Sequence, residues 1–169
     1  HIDYRAKITD NEYIHKLCIQ PGNRLSMYDC RVNNGALKFT DDREHIVSII
    51  VRDAAGNRSS ASFKVRSLSE EPVAPLEISC SKIIPYGKAS DFTADGIRVH
   101  FPAGALYDTL FLVYNVRRDI RTFLSPVHSV HDETVAVNDR YRLSILPDTV
   151  LPGMEGKMCL AMLNGKEAP

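Results

Sequence analysis

Apolar and polar positions alternate in short runs along most of the chain: "IDYRAKI", "YIHKLCI", "HIVSIIVR", "ASFKV", "LEIS", "IRVHF", "LFLVYNV", "YRLSIL" and "KMCLAML". Each run is rich in β-branched or aromatic residues and is bounded by Gly, Pro, Asn or Asp, the pattern of strands separated by turns. No segment carries an apolar stripe of 3.6-residue period over a helical length. The pattern therefore predicts an all-β chain.

Two units are especially well defined. In "HIVSIIVRDAAGNRSSASFKVR", Ile46, Ser48, Ile50 and Arg52 alternate with Val47, Ile49 and Val51, and the return strand puts Ala61, Phe63 and Val65 on one face. "DAAGN" between them supplies an Asp to bond the turn backbone and a Gly that accepts positive φ, so a hairpin is expected. In "DGIRVHFPAGALYDT", residues 95–109, Asp95-Gly96 is a turn signal, and Ile97, Val99 and Phe101 share one face while Arg98 and His100 share the other. Pro102 should end the ladder, with Ala103 and Ala105 small enough for close backbone approach and Leu106 and Tyr107 placed to cap the core.

"SLSEEPVAP" interrupts the alternation with two prolines and two adjacent glutamates, and suits a semi-rigid linker better than a core strand. The expected organisation is two tandem β-sandwich domains, residues 1–68 and 76–169, joined by a Pro/Glu linker at 69–75. The chain opens on His1 and ends in "MLNGKEAP" soon after a strand-like run, which reads as a piece of a longer protein whose two modules are open to truncation at the outer ends.

Composition narrows the function. A hydrophobic share of 44% and a charged share of 25% are ordinary for a globular domain and argue against disorder. Lys plus Arg balances Asp plus Glu at 21 each, with no basic block to follow a phosphate backbone, so nucleic acid is a poor partner. No run approaches the roughly 20 apolar residues of a membrane span.

Chemistry-bearing residues are sparse in pattern. Cys18, Cys30, Cys80 and Cys159 show no C-x-x-C spacing; they read first as buried small hydrophobes, with a Cys18–Cys30 disulfide and metal binding as alternatives. His128 and Asp132 in "HSVHD" form one His-x-x-x-Asp pair, and His131 and Glu133 lie beside them. With 6 histidines and 13 aspartates, about half a match of this kind is expected by chance. Two ligands without a third make a poor zinc site, so His128, His131 and Asp132 are only weak metal candidates, and no catalytic residue, metal or cofactor is expected in the chain. "NNG" at 33–35 with Asp41 and Asp42 reads as a hairpin turn and solvated loop before it reads as a calcium site. There is no G-x-S-x-G elbow, H-E-x-x-H, phosphate-cradling loop or EF-hand. Tyr4, Tyr13, Tyr28, Tyr107, Tyr114 and Tyr141 fall in or beside strands, where packing is the default role.

Three resemblances attach to these residues. Asp53, Gly56 and Asn57 match the V-x-D-x-x-G-N-x-(S/T) turn that closes many bacterial immunoglobulin-like modules, a marker of fold and not of ligand. Phe101, Pro102, Gly104, Ala105 and Leu106 resemble the "I-P-x-G-A-L" turn of the ZU domain of ankyrins and netrin receptors, and "LSPVHSV" at 124–130 looks like its later Ser-Pro-Val segment. That likeness covers roughly residues 76–163 and implies an interaction module.

The order "CIQPGNRLSMYDCRVNNGAL", "VRDAAGN", "DGIRVHFPAGALYDT", "SPVHSVHDETVAVNDRYRLSI" resembles the non-catalytic C-terminal half of lysostaphin-type envelope metallopeptidases. Those enzymes cut peptidoglycan cross-bridges with one zinc held by His-x-x-x-Asp and the second His of His-x-His. No two histidines here are separated by a single residue, so the catalytic set is incomplete. The resemblance implies an extracytoplasmic spacer or binding region, positioning an upstream zinc endopeptidase and meeting peptidoglycan, a glycan or another envelope protein. A surface adhesin or glycan-binding module belonging to no peptidase is the alternative.

Overall fold

The structure, a computed structural model, describes residues 2–26, 32–67, 77–118 and 123–163. The linker at 69–75, Tyr28 and Cys30 lie outside the described residues. The chain is all-β: nine strands run among the described residues, β1 (Glu44–Arg52), β2 (Arg58–Arg66), β3 (Lys82–Ile84), β4 (Ser90–Ala94), β5 (Ile97–Phe101), β6 (Leu110–Leu112), β7 (Tyr114–Arg117), β8 (Val127–Val130) and β9 (Arg142–Ile145). They form small antiparallel sheets, consistent with a sandwich-like architecture.

Two compact units interleave in sequence. One holds the described parts of His1–Lys16, Gln20–Leu25 and Ile78–Pro169, and the other holds Leu17–Ile19 with the described parts of Ser26–Glu77. The sequence reading puts the whole of 1–68 in one module. The structure instead gathers 2–16 and 20–25 with the later strands. A backbone hydrogen bond holds the second of these segments there, since the Gly22 N–H donates to the Tyr107 carbonyl at 2.7 Å.

In the later unit β5 is the central strand of β4-β5-β9, with β3 paired to β6 and β7 to β8. Asp95 and Gly96, both at positive φ, make the tight turn from β4 to β5. The alternation then decides what is buried. Ile97, Val99 and Phe101 are inside with Ile84, Phe92, Leu106, Leu110 and Leu112, while Arg98 is exposed and His100 half-buried. Each of these large side chains adds about 1.5–3 kcal/mol by leaving water.

The other unit carries the β1–β2 hairpin, in register from Glu44 opposite Arg66 to Arg52 opposite Arg58. At its turn the Asp53 carboxylate accepts from the Asn57 backbone N–H at 2.8 Å and from the Asn57 side-chain amide at 2.7 Å. No described residue of this unit is buried.

Several expected elements take another form. "IDYRAKI" contains a short helix, α1 (Tyr4–Thr9), because Asp3 caps it by accepting from the Ala6 N–H at 3.2 Å. "YIHKLCI" makes only an isolated bridge, His15 to Ile2, and residues 77–80 and 158–163 form no strand. Alternation marks which face a strand would bury, but a ladder also needs a neighbour, and none pairs with these segments among the described residues. "NNG" is a tight turn with Asn33, Asn34 and Gly35 all at positive φ, and it joins no two strands among the described residues. Cys18 and Cys159 are exposed and Cys80 is half-buried, so the buried-hydrophobe reading fails for the first two.

Candidate functional site

The corner after β5 is built from backbone bonds. Pro102 ends the strand, and its carbonyl accepts from the Ala105 N–H at 3.1 Å, closing a turn in which Gly104 adopts φ 76°. The Gly104 N–H donates to the Tyr86 carbonyl at 2.8 Å, and the Ala105 carbonyl accepts from the Asn138 N–H at 2.7 Å. Ala105 and Leu106 are almost wholly buried, and Leu106 bridges to Val137. Residues 102–106 thus pin two loops to the core, which is an architectural role.

Residues 20–25 lie across this corner. A Cβ on Gly22 would run into the Leu106 carbonyl oxygen, so the close approach requires glycine. Arg24 donates from its guanidinium to the Gly104 carbonyl at 3.3 Å, and Asn138 donates to the same oxygen at 3.2 Å from its side-chain amide. Between segment and corner lies a shallow cleft of about 330 Å³ lined in part by Pro21, Asn23, Tyr86 and Ala103.

A second feature lies where β7 and β8 meet the Ser-Pro-Val segment. The Tyr114 hydroxyl and His128 Nδ1 are 2.9 Å apart, and the rings stack at 6.1 Å. Arg118 donates to the Asp95 carboxylate at 2.7 Å. Burial raises the Tyr114 pKa, reinforced by the negative charge of Asp95, so the phenol keeps its proton. Burial also lowers the His128 pKa below its ordinary 6.5. Among the described residues the enclosed His128 Nε2 has no hydrogen-bond partner, so an imidazolium would carry an unmatched N–H there. Beside this cluster a cleft of about 380 Å³ is lined by Arg118, Phe123, Leu124, Ser125, Asp148 and Thr149, with Pro126 buried below. The Leu124 carbonyl, accepting from the Asp148 N–H at 2.7 Å, fixes the rim.

His128 and Asp132 do not converge. β8 ends at Val130, and His131 at φ 60° breaks the extended geometry that would put positions four apart on one face. The Asp132 carboxylate instead accepts from the Thr134 N–H at 2.8 Å and from its hydroxyl, bonds that lower its pKa. The Val113 N–H donates to His131 Nδ1 at 3.3 Å. Among the described residues no three His, Cys, Asp or Glu side chains gather as a metal site. The cluster of Tyr114, Asp95, Arg118 and His128 is not legible in the sequence, because its members come from the β4–β5 turn, two strands and the residue after β7, with no fixed spacing.

The cleft turns the polar groups of Arg118, Ser125, Asp148 and Thr149 and the ring of Phe123 toward one opening. A family profile for the Zu5-like domain matches residues 81–169, more than half the chain, and the chain belongs to that family. A Zu5-like domain is a non-catalytic, binding-type module. No curated protein and no solved structure gives a match.

Proposed function

We propose that this chain is a non-catalytic positioning and binding region of an extracytoplasmic envelope protein, and that it holds an upstream zinc peptidoglycan endopeptidase domain against the wall. The observation that carries this reading is the order of its segments, the "VRDAAGN" hairpin turn, the "FPAGAL" corner and the Ser-Pro-Val segment, an order that resembles the C-terminal half of lysostaphin-type enzymes. The Zu5-like membership supports the binding part of the reading. The cleft beside Arg118 and Asp148 is its contact surface, where Arg118, already held by Asp95 at 2.7 Å, and Asp148 set both signs of charge about one opening for a ligand bearing both, such as a short peptide stem.

Co-sedimentation with purified peptidoglycan tests the proposal. The chain should pellet with intact sacculi in a saturable way, and Arg118→Ala should weaken the binding without unfolding the protein. Saturable binding to a glycan array with none to sacculi would favour the adhesin reading, and binding to neither would contradict the proposed contact surface.

A further inference from the structure

The β1–β2 hairpin leaves a sheet edge that suits one partner in particular. Among the described residues β1 and β2 are each other's only strand neighbours, so both strands present one unpaired edge. A two-stranded ribbon is marginal in water, and three or more strands with an apolar face are needed for independent stability. This ribbon has such a face: Val47, Ile49 and Val51 on β1 share it with Ala61, Phe63 and Val65 on β2, and Val51 and Phe63 are 62% and 48% exposed.

The two edges differ in what they can accept. β1 is uncharged from Ile46 to Val51, lacks proline, and bears its formal charges only at the ends, at Arg52 and at Glu44, whose carboxylate also meets Lys64 Nζ of β2 at 2.7 Å. β2 carries Arg58, Lys64 and Arg66, the charges that keep an edge from pairing. Placing β1 antiparallel to itself about Ser48 sets Glu44 against Arg52 at both ends. Ile46 then meets Ile50, and Val47 meets Ile49. The same operation on β2 sets Arg58 against Arg66 at both ends, like against like.

We infer that the chain self-associates through β1, two copies pairing antiparallel about a two-fold axis at Ser48 to make a four-stranded sheet. The interface is isologous, so each complementary charge pair occurs twice. The ladder supplies the backbone bonds that the free edge lacks, and the apolar faces of the two ribbons become continuous.

Sedimentation velocity on the full chain, reduced so that the exposed Cys18 and Cys159 cannot cross-link, tests the inference. The unaltered chain should show a concentration-dependent dimer at or below about 200 μM. Glu44→Arg and Arg52→Glu should each weaken the dimer roughly tenfold, because each puts like charges opposite one another twice. An equimolar mixture of the two variants should dimerise again, since each then meets its complement. Recovery on mixing separates a charge effect from a misfolded hairpin. An unaltered chain that stays monomeric, variants that dimerise as well as the unaltered chain, or a mixture that does not recover would each overturn the inference.

Discussion

At position 22 there is no room for a side chain. Gly22 donates to the Tyr107 carbonyl, and its Cα faces the Leu106 carbonyl oxygen so closely that a methyl group must push backbone apart. Gly22→Ala should therefore lower stability by about 2 kcal/mol, as overpacking does, and should speed amide exchange at Gly22. Chemical denaturation and hydrogen exchange read both effects, and an alanine variant as stable as the original would contradict the close approach.

His128 makes a different point at the same scale. Burial lowers its pKa in the folded chain, whereas in the unfolded chain it titrates near 6.5. The unfolded state thus binds the proton more readily in the window between the lowered value and 6.5. Its contribution to stability is full above that window and is lost as pH falls through it. The urea midpoint should drop on acidification from pH 7 to pH 5, and His128→Gln, which cannot titrate, should flatten the drop. An unchanged slope in the variant would assign the effect to another group.

At the scale of the element, β5 shows how much of the fold the sequence carries. The alternation of Ile97, Val99 and Phe101 against Arg98 and His100 names the buried face correctly, and the Asp-Gly pair and Pro102 mark its ends. Ile97→Ala should cost about 3 kcal/mol by leaving a cavity, whereas Arg98→Ala on the other face should change stability by less than about 0.5 kcal/mol. Equal effects in thermal or chemical melts would mean that the two faces are not distinguished.

Other segments alternate as well and yet form no strand. "LEIS" and "KMCLAML" lack a neighbour among the described residues, and no pattern within a run encodes its partner. "IDYRAKI" alternates like a strand too, yet Asp3, the residue before Tyr4, caps a helix there. The cluster around Tyr114 and His128 was hidden for a related reason. Cross-strand register sets Val116 opposite His128 and brings the Tyr114 ring to its imidazole, and neither strand alone encodes that register.

At the scale of the whole molecule, the family membership and the geometry of residues 102–106 agree on a module whose recognisable motif is architecture. Phe101 fills the core, Gly104 turns the chain, and Ala105 and Leu106 lock it, so chemistry must be sought elsewhere than in the segment with the clearest signature. His128 and Asp132, the His-x-x-x-Asp pair, are engaged with Tyr114 and Thr134.

The most direct test of this account is a measurement of zinc content and peptidoglycan turnover on the purified chain, equilibrated with one equivalent of zinc and then dialysed. Substoichiometric metal and no release of soluble muropeptides from sacculi are the expected result, with His128→Ala leaving both unchanged. Stoichiometric zinc retained together with zinc-dependent release, both lost on that substitution, would show that the chain is itself the enzyme.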